Sequence, residues 1–192
     1  MKLLYNPFEK LTEVQLISLG IVFLALGSFL GYYFDARFDG VLDMHTGPSE
    51  VTIEQPFIDN IINTFTLFIV LYILGLIVNT KTRLVDIFAV SIIARSPLYL
   101  STLINAGGFL DNIEKNLDPS HPESIQFGAF DVFMILLMLP FILGTLVWFI
   151  ALLYNGFKTA TNIKYTGHKV AFGFSILIAE VISKLIIGYT NY

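Results

Sequence analysis

Of the 192 residues, 55% are hydrophobic and 14% charged, against about 25% charged in an ordinary soluble domain, which excludes a water-soluble globule. There is no cysteine, so disulfides, thiolate metal sites and cysteine nucleophiles are excluded as well. The net charge of −4 says little as a total, and no basic aromatic face points to nucleic acid.

Five apolar runs, at residues 15–34, 60–79, 84–104, 129–154 and 170–189, each reach the roughly 20 residues a helix needs to cross a bilayer core. They predict an all-α, polytopic membrane bundle of five transmembrane helices forming a single domain over residues 1–192. Ahead of the first run, Asn6, Pro7 and Glu9 suit the N-cap, first and third positions of a short interfacial turn. The first run is longer than a signal-peptide core and has no small-x-small site after it, so it reads as a retained span. Gly27 and Gly31 form a GxxxG pair that lets another helix approach closely, with a partner in the same chain favoured over a second copy. The second and third runs are separated by Thr80–Lys81–Thr82–Arg83 and their flanks, so they are antiparallel neighbours. The third run ends at Gly107-Gly108, and Pro119, Ser120 and Pro122 mark the connection after it as irregular. The last connection, residues 155–169, reads as a polar, basic loop.

The cations are sorted. Lys2, Lys10, Lys81, Arg83, Lys158, Lys164 and Lys169 fall on one side of the membrane, against Arg37 and Lys115 on the other. The positive-inside rule puts the N-terminus in the cytoplasm and, with five spans, the C-terminus outside. The outer connections are acidic, with Asp35, Asp39, Asp43, Glu50, Glu54 and Asp59 in the first and Asp111, Glu114, Asp118 and Glu123 in the second. They read as solvated loops that avoid positive charge. His45 and His121 are candidates for a divalent-ion site, but no ligand spacing supports one.

Ionisable residues inside spans are expensive and are the first places to look for function. Asp86 and Asp131 lie in the first turns of their helices, where a negative charge is favoured. Arg95 and Glu180 are different. At about 1.5 Å rise per residue they sit near the midplane at matching depth and are expected to pair, since an unpaired charge costs at least about 2.5–3.5 kcal/mol there. Lys184, one turn beyond Glu180, either shares that carboxylate or snorkels outward. Pro97 is expected to bend the third span beside Arg95, and Pro140 to interrupt the fourth. Two readings stay open for this cluster: fixing helix register, or a polar site for an ion, headgroup or partner. Trp148 and Tyr154 read as belt or packing residues. HExxH, GxSxG, P-loop and paired-acid motifs are missing, so neither catalysis nor a cofactor is expected.

Residues 82–100, TRLVDIFAVSIIARSPLYL, open an apolar span with an acidic residue and place a proline near its middle. Residues 148–169, WFIALLYNGFKTATNIKYTGHK, carry an aromatic-containing span into a small-residue turn and a polar connection. In Asp86, Pro97, Trp148, Gly156 and Lys158 the chain resembles the Yip family of polytopic membrane proteins over roughly residues 60–190. The resemblance implies five spans, a cytoplasmic N-terminus and a non-cytoplasmic C-terminus. Eukaryotic members are linked to Rab-type GTPases and carry a long cytoplasmic N-terminal region. Only about 14 residues precede the first span here, which favours a bacterial relative in the inner membrane. The expected function is non-catalytic: membrane organisation or partner binding. Lys81, Arg83, Lys158, Lys164 and Lys169 would contact a protein partner or anionic headgroups. The alternative is a small transporter or channel component using Arg95, Glu180 and Lys184. The lipid bilayer is an expected partner, and nothing in the sequence argues for a homo-oligomer.

Overall fold

A computed structural model describes residues 2–46, 51–110, 113 and 127–190. The acidic residues of the second outer connection, together with Glu50, Lys115, Pro119, Ser120, His121 and Pro122, lie outside the described residues. The elements are α1 (Lys2–Tyr5), a 3-10 turn (Pro7–Glu9), α2 (Glu13–Tyr33), β1 (Ala36–Arg37), β2 (His45–Thr46), α3 (Glu54–Val78), α4 (Leu84–Ala94), a 3-10 helix (Leu98–Asn105), α5 (Ala129–Thr161) and α6 (Thr166–Thr190). The all-α expectation holds apart from the antiparallel ribbon, which pairs Ala36 with Thr46 and Arg37 with His45. Five helical segments are long and apolar enough to cross a membrane, and the protein is an integral membrane protein.

Local chemistry moves several boundaries away from those expected. Thr12 starts α2 with a capping box: its hydroxyl accepts from the Gln15 N–H (3.3 Å), and the Gln15 side chain accepts from the Thr12 N–H (3.0 Å). Asn6 precedes the 3-10 turn without capping its backbone; its side-chain amide donates instead to Glu9 (2.8 Å). Helix α3 begins at Glu54 rather than at residue 60, which carries Asp59 into the helix. Helix α5 runs on to Thr161 and stops at Asn162, whose left-handed conformation (φ 54°) turns the chain. The expected long loop over 155–169 is therefore a correction: only residues 162–165 separate α5 from α6.

The two prolines also depart from expectation. Pro97 does more than bend the third span. The α-helix ends at Ala94, the Ser96 N–H takes the Ile93 carbonyl that Pro97 cannot serve (3.1 Å), and the chain continues as a narrower 3-10 helix. Pro140 leaves α5 continuous from Ala129 to Thr161. Membrane helices tolerate proline where the freed backbone groups find local substitutes.

The third span is the hub. In its most apolar stretch 78% of residues are buried, against 17% in α5. Helix α4 packs on α2, α3 and α5, whereas α6 packs mainly on α3. Its run Ala89–Val90–Ser91–Ile92–Ile93–Ala94 has no polar face to turn outward and is buried all round. Glycines on α2 let it come close: Gly20 lies against Ile92 and Gly27 against the Tyr99 ring, where a Cβ would fall 2.5 and 2.2 Å from those side chains. The GxxxG surface is thus used within the chain. The main core joins Leu67 and Leu71 of α3, Ile87 and Val90 of α4, and Phe149, Leu153 and Phe157 of α5. The other half of α5 stands apart, with Phe130, Phe133, Leu136 and Leu137 exposed.

Candidate functional site

The connection between α2 and α3 does not stay at the surface. Asp35 adopts a left-handed conformation (φ 49°), and the chain then turns into the bundle, burying Ala36, Phe38 and Val41. Non-helical backbone at this depth is tolerated only where protein groups satisfy its N–H and C=O. Polar side chains from three spans do so. Asn63 donates to the Phe38 carbonyl (2.6 Å). Arg95 Nη1 donates to the Val41 carbonyl (2.9 Å). Glu180 Oε2 accepts from the Leu42 N–H (2.7 Å), and Ser183 Oγ accepts from the Val41 N–H (3.2 Å).

Val41 C=O and Leu42 N–H are the two ends of one peptide group. Arg95 and Glu180 therefore meet, but across that peptide rather than as the direct ion pair expected from their depth. The peptide dipole, about 3.5 D, has its negative end on the guanidinium and its positive end on the carboxylate. Arg95 is fully buried and extends the network: Nη2 donates to Asn60 Oδ1 (3.0 Å), Asn60 donates to Ser28 (3.0 Å), and Ser28 donates to the Pro56 carbonyl (3.2 Å). The guanidinium also lies 5.9 Å from the centre of the Tyr99 ring, within cation–π range. Arg95 Nε, the Tyr99 hydroxyl and the Thr64 hydroxyl are buried close together, and none makes a hydrogen bond of ordinary geometry among the described residues.

Further ion pairs tie down the rest of the hairpin. Lys184 contacts the Asp43 carboxylate and lies 3.5 Å from Glu180. Arg37 grips Asp59 through two bonds of 2.9 and 2.8 Å, with the Asp59 side chain fully buried. His45 approaches Asp39 at 3.4 Å. Burial alone would push the Asp39 carboxyl up, but the His45 hydrogen bond and charge, helped by Lys184, outweigh it and hold the group below its ordinary value. The same hydrogen bond raises the His45 imidazole above its ordinary value against the opposing effect of burial.

The sequence reading missed half of this site. Asp59 is a buried residue of α3, not part of a solvated acidic loop, and Asn60, Asn63 and Thr64 continue its polar stripe on that helix, all buried. Their spacing of one, four and five residues within an apolar helix was the available signal. No side-chain pattern announces that the partner of Arg95 is a main-chain carbonyl.

At the opposite end of the bundle, Arg83 pairs with Glu13 at 2.7 Å and lies 3.9 Å from Asp86, joining the starts of α2 and α4. The Trp148 indole donates to the Leu4 carbonyl (2.7 Å) and Asn155 to the Tyr5 carbonyl (2.9 Å), so both hold the N-terminal segment against α5. Gly156 admits Val90 and Phe8, where a Cβ would lie 2.7 and 2.8 Å away. Asn79 donates to the Thr161 carbonyl (3.3 Å), bringing the α3–α4 turn beside the end of α5. Lys10, Lys81, Lys158, Lys164 and Lys169 are exposed around this end, and none of these described residues forms an ion pair. Comparison with family models, curated proteins and solved structures returns no match.

Proposed function

We propose that the chain is a non-catalytic, Yip-type protein of a bacterial inner membrane that binds a partner or organises the membrane through its basic, cytoplasmic end. The observation that carries this reading is a division of charge. Arg95, Glu180, Lys184, Arg37 and Asp59 are all engaged in holding the hairpin. Lys81, Lys158, Lys164 and Lys169 are exposed and uncommitted. Exposed cations near a bilayer surface attract anionic headgroups and acidic protein segments, at about 1 kcal/mol each. The resemblance at Asp86, Pro97, Trp148, Gly156 and Lys158 supports the same reading, because three of these residues organise that end: Asp86 faces Arg83, Trp148 binds the N-terminal segment, and Gly156 admits it.

The test is neighbour capture in native membranes with a photo-crosslinking residue at Thr80 or Tyr165, exposed neighbours of Lys81 and Lys164 that leave both charges in place, and at Ile178 as the lipid-facing control. A protein captured at the first two positions and not at the third is the expected result. Recovery of abundant lipids alone at all three would overturn partner binding.

The broken third span, whose buried Tyr99 ring lies beside the Arg95 guanidinium at the break, favours a second reading as a small transporter or channel component. Flux through reconstituted vesicles decides it: equal, background-level flux for the parent, Glu180→Gln and Arg95→Ala would remove it.

A further inference from the structure

Helices α5 and α6 touch near the basic end, where Phe172 packs against Tyr154 (5.6 Å between ring centres) and Phe157 (5.2 Å). Beside this contact lies an open groove of about 480 Å³ whose lining includes Leu42, Ile150, Tyr154, Gly173, Phe174 and Leu177. Phe172 and Ile176 form a buried floor, while Val170, Leu177 and Ile150 are exposed along the rim. Gly173 has open space where a side chain would stand. The groove is apolar along its length, and the two helices beside it each carry a lysine beyond its lining. Lys158 follows Tyr154 by four residues on α5, and Lys169 precedes Gly173 by four on α6. Residues four apart share a helix face, so each lysine extends a groove-facing row by one turn, about 6 Å, at the basic end. Both lysines are exposed.

We propose that this groove is a binding site for an anionic phospholipid, with one acyl chain lying between α5 and α6 and the headgroup phosphate held by Lys158 and Lys169. The charge at the groove mouth selects this occupant. A zwitterionic lipid gains less from two cations, because its own ammonium group offsets the phosphate, and a second copy of the chain would have to bring acidic residues to an apolar slot. The acyl chain would run inward as far as Leu42, the residue whose N–H is bound by Glu180, and so would rest against the buried hairpin. The inference goes beyond partner binding at the basic end and does not depend on it, since it concerns the purified protein and lipid alone.

The experiment uses the full chain in phosphatidylcholine vesicles doped with phosphatidylglycerol carrying a photoactivatable diazirine in one acyl chain, with adducts mapped by mass spectrometry. The expected adducts concentrate on Ile150, Tyr154, Ile176 and Leu177, and unlabelled phosphatidylglycerol competes them away while phosphatidylcholine does not. Lys158→Gln and Lys169→Gln should each weaken labelling about fivefold. Gly173→Trp, which fills the slot and spares both lysines, should abolish labelling inside the groove. All three substitutions sit at exposed or open positions, so loss of fold does not confuse the outcome. Adducts spread evenly over the lipid-facing helices, equal competition by phosphatidylcholine, or labelling of the groove that survives Gly173→Trp would each overturn the proposal.

Discussion

The two ends of this bundle treat charge in opposite ways. Around the hairpin, Arg95, Glu180, Lys184, Arg37 and Asp59 are each bound to a defined partner within the chain. At the other end Lys81, Lys158, Lys164 and Lys169 are exposed and form no ion pair among the described residues. An ionisable residue inside the membrane is a functional candidate by default, yet here the interior charges satisfy a piece of irregular backbone. The lysines at the surface are the ones free to act on something else. What distinguishes the two sets is whether the partner is already in place.

That contrast is open to direct attack. The largest effect is expected for Arg95→Met, which leaves the Val41 carbonyl, Asn60 and the Glu180 charge without their cation. Breaking a buried ionic arrangement from one side costs about 3–5 kcal/mol, measurable by denaturant unfolding in detergent micelles. A loss below about 1 kcal/mol would mean the clamp does not hold the hairpin. Gly40→Ala comes next, because a Cβ there would lie 2.4 Å from Glu180 Oε1. The carboxylate must retreat from the Leu42 N–H, at a cost of about 1.5–3 kcal/mol for a charged hydrogen bond. Amide exchange at Leu42 should accelerate in step.

The hairpin should also report on pH, weakly. His45 has its value raised by folding, so its contribution is complete below the ordinary histidine value and lost as pH rises through the raised one. Asp39 has its value lowered, so its contribution is complete above the ordinary carboxylate value and lost as pH falls through the lowered one. The pair therefore stabilises between those two limits, by no more than about 1 kcal/mol given its exposure. His45→Asn should flatten that part of the stability profile and leave the rest unchanged. The smallest effect on stability sharpens the contrast from the other side: Lys81→Gln and Lys164→Gln should stay within about 0.5 kcal/mol of the parent while reducing neighbour capture.

The spans were legible because their signal is long and local. About 20 apolar residues in a row seldom occur outside a membrane helix; the hub position of the third span is not legible that way, since α5 is more apolar and only 17% buried in its most apolar stretch. The hairpin was not legible because its determinants are scattered. Phe38 and Val41 look like stray apolar residues in a charged loop until Asn63, Arg95 and Glu180 are seen to receive that loop's main chain. Matching depth suggested that Arg95 and Glu180 pair directly, whereas they bind opposite ends of one peptide group. It missed what stands between them, since depth arguments count side chains and the mediator is a peptide bond. Pro140 failed as a helix breaker for a related reason: in a continuous membrane helix, one missing N–H is repaired more cheaply than a broken segment is solvated.

The clamp on the Val41–Leu42 peptide also imposes an order on assembly. Its three parts come from the first connection, the third span and the fifth, so during synthesis the arginine is made long before the glutamate. At ordinary elongation rates the interval is on the order of ten seconds. Throughout that time Arg95 can hold its carbonyl, but the other end of the peptide has no carboxylate to receive it. Helix α6, made after α4, is therefore the latch, and a chain shortened before Glu180 would insert its earlier spans with the hairpin unlocked.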